Sequence, residues 1–100
     1  MNITANELKE KLDRGDDFVL IDVRESYEHE EFNVGGQLIP VGVIHAKIPE
    51  LEQHKNDEVV VYCRSGARSG MAQQILINAG FTNVRNLTGG MLNWMETFKG

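Results

Sequence analysis

The stretch Val59-Val60-Val61-Tyr62-Cys63-Arg64-Ser65-Gly66-Ala67-Arg68-Ser69-Gly70 decides the reading of this chain. It opens with an unbroken apolar run ending at Cys63, where a half-buried strand would alternate apolar with polar residues. Such a run suits a strand buried on both faces, and therefore a parallel sheet covered by helices. A short loop of small and basic residues follows, and a helix is expected to begin about five residues after Cys63. In that helix Ala72, Ile75, Leu76 and Ala79 share a face, with Gln73, Gln74 and Asn78 off it. Gly80 is placed to end it in a left-handed cap.

The same alternation extends outward in both directions. Upstream, Thr4 and Glu7 have the spacing of a capping box, with Ile3 and Leu8 as its hydrophobic staple and Gly15 as the stop. Phe18-Val19-Leu20-Ile21 reads as a second doubly buried strand, and residues 23–32 as a turn and short helix. Gly35-Gly36 breaks the chain before a short strand at Leu38-Ile39-Pro40-Val41, which Pro40 should end or leave at an edge. Val43 to His54 is weakly helical, with Pro49 expected at or near a helix start. Downstream, Asn83 to Leu87 predicts another strand, and Met91, Trp94, Met95 and Phe98 form the apolar stripe of a closing helix expected to lie in the core. The fold class is therefore α/β: a small central parallel sheet of about five strands, with right-handed crossovers and helices on both faces.

Composition narrows the function classes. The 100 residues carry 10 Lys+Arg and 15 Asp+Glu, a net charge of −5 that disfavours a general nucleic-acid surface. One domain over residues 1–100 is expected from the length. No apolar run approaches the ~20 residues of a membrane span, and residues 1–7 lack a signal peptide's basic and apolar regions. These features predict a cytoplasmic protein with no membrane partner. The single cysteine excludes an internal disulfide or a CxxC pair. His29, His45 and His54 lack metal-ligand spacing and read as surface histidines, so neither a metal nor a cofactor is expected.

Chemistry is expected at Cys63. In open α/β sheets, ligands bind outside the carboxyl ends of the strands. Ser65, Gly66 and Ala67 let the backbone curl, so that successive N–H groups converge at the positive end of the next helix. Arg64 and Arg68 add two cations in an acidic chain. A thiol there should ionise below the ~8.5 of free cysteine. The rival reading makes Cys63 a small buried hydrophobe that merely ends a strand.

Tyr62-Cys63-Arg64-Ser65-Gly66-Ala67-Arg68-Ser69 resembles the active-site loop of the rhodanese family of sulfurtransferases in its single-domain form. Three further stretches agree in order and spacing. Leu20-Ile21-Asp22-Val23-Arg24-Glu25 is similar to the family's first strand, Gly80-Phe81-Thr82-Asn83-Val84 to its helix-to-strand connection, and Leu87-Thr88-Gly89-Gly90-Met91-Leu92-Asn93-Trp94 to its closing signature. The resemblance implies a rhodanese-like fold and persulfide chemistry. Cys63 would take a sulfane sulfur from a donor such as thiosulfate and pass it to cyanide, a small thiol or a protein thiol. Arg64, Ser65, Gly66, Ala67, Arg68 and Ser69 would bind substrate, with Arg68 facing the loop interior and Arg64 nearer the mouth. The alternative is a persulfide carrier or regulatory sulfur-relay module, paired with a relay protein and turning over little on free thiosulfate. The loop is Cys-x4-Arg, one residue shorter than in the related cysteine phosphatases, which places phosphatase or arsenate-reductase chemistry behind both.

Other features are expected to be structural. Asp22 and Arg24 read as a carboxylate and guanidinium tying loops together. Glu28-His29-Glu30-Glu31 reads as a solvated acidic face, or else a docking patch for a basic partner. Gly89-Gly90 reads as a tight turn near the site's rim. Asn33 and Gln37 stand where the family usually has histidine and alanine; an amide can supply an imidazole's neutral hydrogen bonds, so the fold should survive.

Overall fold

A computed structural model describes residues 1–99. Its elements, in chain order, are β1 (Asn2–Ile3), α1 (Ala5–Arg14), β2 (Val19–Asp22), α2 (Ser26–Glu31), β3 (Gln37–Leu38), α3 (Ile44–Leu51), β4 (Val59–Tyr62), α4 (Ala67–Asn78), β5 (Val84–Leu87) and α5 (Gly90–Thr97). All five strands are parallel, in the spatial order β1-β5-β4-β2-β3. The two edges, β1 and β3, are only two residues long, which leaves little unpaired backbone to template another sheet.

Strand β4 lies at the centre, paired with β2 on one side and β5 on the other. Its side chains alternate between two cores, as the period of two requires. Val59, Val61 and then Cys63 face Ile44, Leu51, Ala72 and Leu76 from α3 and α4. Val60 and Tyr62 face Leu8, Met91 and Trp94 from α1 and α5. Cys63 thus continues the alternation of the strand toward α4.

Local signals placed most boundaries. Thr4 and Glu7 form both halves of the capping box, and Gly15 ends α1 with φ 71°. Gly80, just beyond α4, takes φ 99°. Pro49 departs from expectation, since it lies inside α3 instead of at its start. The helix tolerates the lost N–H because Ile44, Ile48 and Leu51, spaced i, i+4, i+7, pack on the core. The third strand is also shorter than expected, and the chain leaves it through a 3-10 turn at Val41–Val43.

Met95 also departs from expectation. It is 45 % exposed, although its stripe partners Met91 and Trp94 are buried. Those two carry the face of α5 that meets the sheet, and Met95 sits one step around the helix, at its rim.

Candidate active site

Cys63 stands immediately beyond the carboxyl end of β4, and three residues separate it from the first residue of α4. Gly66 is the N-cap of α4 with φ 107°, a conformation L side chains rarely adopt; space alone would admit a Cβ there. This kink turns the chain so that the Cys63 sulfur lies against the helix start. The Gly66 N–H donates to Sγ at 3.1 Å and the Ser69 N–H at 3.4 Å. Ser69 is the third residue of α4, whose N–H ordinarily needs a side-chain cap. No side-chain oxygen caps α4, and the sulfur takes that place.

The electrostatics follow from this position. Burial pushes the Cys63 thiol up. The Ser69 hydroxyl and the N–H groups of Ser69, Gly66 and Ser65 outweigh it, and the thiol ends below its ordinary value. Cys63 is only 1 % exposed, so the buried-hydrophobe reading has its burial right. It misses the surroundings, because one side of the sulfur faces polar hydrogens.

Ser69 carries a contest over one proton. Its Oγ lies 3.3 Å from Sγ and 2.6 Å from Asn86 Oδ1, and a hydroxyl has a single hydrogen to give. Asn86 is fixed in turn, since its Nδ2 donates to the Gly66 carbonyl at 3.1 Å. The shorter bond to Asn86 wins while the sulfur is a thiol, whose S–H can then point at Ser69 Oγ. A thiolate, as a charged acceptor, would compete with Asn86 for the hydroxyl hydrogen. Sequence reading missed Asn86. The available signal was an amide near the carboxyl end of β5, beside β4 in register with Val61.

The loop is braced from outside by the start of α5. The Met91 N–H donates to the Cys63 carbonyl at 2.9 Å, and the Leu92 N–H to the Arg64 carbonyl at 3.0 Å. With these carbonyls held outward, the loop's own N–H groups are left to face the sulfur. A Cβ on Gly90 would come within 2.5 Å of both carbonyl oxygens, so close approach explains that glycine.

The arginines are placed differently from one another. Arg64 is exposed and, among the described residues, makes no ion pair. Arg68 was expected to offer its charge inside the loop. Instead its two terminal nitrogens donate to both oxygens of Glu28, at 2.7 and 2.9 Å. Arg68 is thereby raised further, and Glu28 falls to about 2, chiefly through that pair. Residues 28–31 are therefore not simply a solvated acidic face, because Glu28 on α2 clamps the first turn of α4.

Helix α2 is itself anchored at Asp22, which is fully buried. Its carboxylate accepts from the Arg24 N–H, Nε and Nη2, and lies 2.8 Å from His29 Nδ1. Burial pushes Asp22 up, but the hydrogen bonds from Arg24 and His29 hold it below the usual carboxylate range. His29 is thus a tie between helix and strand and not a free surface histidine. Asn33 donates to the His29 carbonyl and accepts from the Gly35 N–H, stapling the turn after α2. Ser65 and Ala67 are exposed on the loop, and Ser69 is buried beneath it.

A recess of about 640 Å³ includes no residue of this loop in its lining. It opens among Asp16–Leu20 and Gly35–Gln37, where β2 and β3 begin, whereas Cys63 lies where the strands end.

The sequence profile of the rhodanese-like domain matches residues 4–97, loop included. The chain belongs to the rhodanese-like domain family. It is 36 % identical over 93 residues to YrkF of Bacillus subtilis, named as a sulfur carrier, covering 92 % of this chain and 49 % of that protein. It is 34 % identical over 86 residues to a tRNA uridine(34) hydroxylase of Acinetobacter baumannii, covering 81 % of this chain and 27 % of the other. The chain thus spans half or less of the length of these two curated relatives. The human single-domain sulfurtransferase TSTD1 has the same fold, with a TM-score of 0.82 and 28 % identity, and each chain is 95 % covered. Among the described residues of this rhodanese-like chain, no helix is long and apolar enough to cross a membrane.

Proposed function

We propose that residues 1–100 act as one sulfurtransferase domain, in the cytoplasm, with Cys63 as the sulfur carrier. The Cys63 thiolate attacks the outer sulfur of thiosulfate. A new S–S bond forms, the bond in the donor breaks, and its electron pair leaves with sulfite. Cyanide or a thiolate then attacks the outer sulfur of the Cys63 persulfide, and Cys63 departs as thiolate. One hard transfer becomes two easier ones, with no external oxidant or reductant.

The observation that carries this reading is the sulfur's place as the cap of α4, with two backbone N–H groups directed at it. These donors stabilise negative charge on Sγ and would equally hold the terminal sulfur of a persulfide. In this reading Ser65, Gly66, Ala67 and Ser69 cradle the adduct, and Arg64 draws anionic donors to the loop. Arg68 serves by fixing the first turn of α4 through Glu28.

One feature favours the relay reading as the physiological mode. Glu28 occupies both terminal nitrogens of Arg68, which leaves Arg64 as the loop cation available to a small dianion. The relative named as a sulfur carrier is consistent with such a role. A steady-state assay with thiosulfate and cyanide, beside intact-protein mass spectrometry, separates the two. Rapid turnover marks the enzyme; a stable gain of about 32 Da, one sulfur, without turnover marks the carrier. Cys63→Ser should lose both, and if it kept either, sulfur would be handled elsewhere.

A further inference from the structure

Exposed apolar side chains gather beside the active-site loop. A recess of about 280 Å³ is bounded by Phe32 and Glu31 on the α2 side and by Arg64, Leu92 and Met95 on the other. Phe32 and Met95 also border a second, largely apolar hollow of about 320 Å³, which Trp94, Phe98 and Lys99 complete. The two form one groove between α2 and α5, starting at the residue after Cys63. Phe32, Leu92 and Met95 are each more than 40 % exposed, although a chain this small has little apolar surface to spare. Phe, Met and Arg are the residue types enriched where proteins meet, and Met side chains adapt to varied partners.

The charges of the groove state what it fits. Arg64 stands at the loop end without an ion pair among the described residues, and Lys99 stands at the far end. Among the described residues Lys99 pairs only with Glu96, both side chains being largely exposed, which restrains little. Arg24 and Glu28 also border the groove, but they are neutralised by Asp22 and Arg68. Glu31 is the one lining carboxylate outside an ion pair among the described residues, and it lies on the α2 side. In a chain of net charge −5, an apolar groove with a cation at each end is a local exception.

We propose that this groove docks a thiol-bearing segment of another protein, apolar in its middle and acidic at its ends, and presents that thiol to Cys63. The proposal rests on the sulfur-transfer reading and names its acceptor. Residues 1–100 contain one cysteine, so a persulfide on Cys63 can pass to a protein thiol only if that thiol comes from outside them. The partner's thiolate attacks the outer sulfur, the S–S bond to Cys63 breaks, and Cys63 leaves as thiolate while the partner becomes the persulfide.

Trp94, the chain's single tryptophan, lines the groove and reports occupancy without any sulfur chemistry. The probe is a synthetic tryptophan-free peptide with serine at its centre, leucines around it and glutamates at both ends; the control carries lysines for the glutamates. Emission of Trp94 should shift saturably with the acidic peptide, and its affinity should exceed the lysine peptide's about tenfold. Met95→Asp and Lys99→Glu should each weaken binding several-fold. With cysteine restored at the centre, the acidic peptide should discharge persulfide-loaded protein about tenfold faster than the lysine peptide. Both variants should erase that advantage and leave discharge by 2-mercaptoethanol unchanged. Equal binding of the two peptides, or variants that slow 2-mercaptoethanol as much as peptide, would overturn the proposal. Failure of Cys63 to load sulfur would instead remove the underlying function, and the Trp94 titration would still decide whether the groove takes an acidic segment.

Discussion

At the residue scale the chain depends on how one sulfur is solvated by its own backbone. Water is nearly excluded from Cys63, and burial by itself would keep the thiol protonated. The Ser69 hydroxyl and the loop and helix N–H groups replace water and reverse the outcome. The rate of Cys63 alkylation by iodoacetamide, followed against pH, should therefore show a midpoint below that of an ordinary thiol. Ser69→Ala should raise the midpoint, by less than the loss of a full hydrogen bond to an ionised group would, because Asn86 competes for the hydroxyl's proton. An unchanged midpoint would mean that the hydroxyl stays with Asn86 even when the sulfur is ionised.

At the scale of elements, the loop is held by neighbours distant in sequence. Helix α5 fixes its carbonyls from one side, and Gly90 is the contact that allows it. Gly90→Ala would force a methyl group into two carbonyl oxygens. It should destabilise the fold by about 1–3 kcal/mol in urea titration and slow alkylation of Cys63 as the loop is displaced. From the other side α2 holds α4 through Glu28 and Arg68. Glu28→Gln should cost about 1–2 kcal/mol, with Arg68 part-exposed and the pair weakened accordingly. Because folding lowers the Glu28 value to about 2, its contribution is complete above the unfolded carboxylate's value and fades as pH falls toward 2. Wild type and Glu28→Gln should thus differ in melting temperature at pH 6 and converge in acid. A difference that persists at the lowest pH would point to packing by Glu28 instead of its charge.

At the scale of the whole molecule, two cores share one sheet. Each residue of β4 belongs alternately to one core or the other, so neither face can loosen without the strand between them. Leu76→Ala, on the α4 face, should cost about 2–5 kcal/mol. Trp94 lies on the opposite face. Its fluorescence melt should nonetheless fall together with the far-ultraviolet circular dichroism melt, as one transition. Separated transitions would show that the faces unfold independently. The sheet also sets the geography of function: the thiol lies at the carboxyl ends of the strands, and the recess of about 640 Å³ opens where β2 and β3 begin.

What could be read from the residues alone was what neighbours in sequence determine. The buried character of β4, the capping box at Thr4 and Glu7, and the glycine stops at Gly15 and Gly80 depend on residues a few positions apart. So did the strand-loop-helix around Cys63, and with it the family. The structure alone decided contacts that bridge long stretches of chain. Arg68 was expected inside the loop and is held by Glu28, forty residues earlier. Asn86 looked like an ordinary strand residue until the parallel pairing brought β5 beside β4. Met95 had the spacing of a core residue, yet helix orientation, set by packing and not by period, left it on the rim. Local rules fix the backbone's path because their free energies are spent between adjacent turns; which charges and hydrogen bonds meet across the sheet follows only once the whole chain has packed.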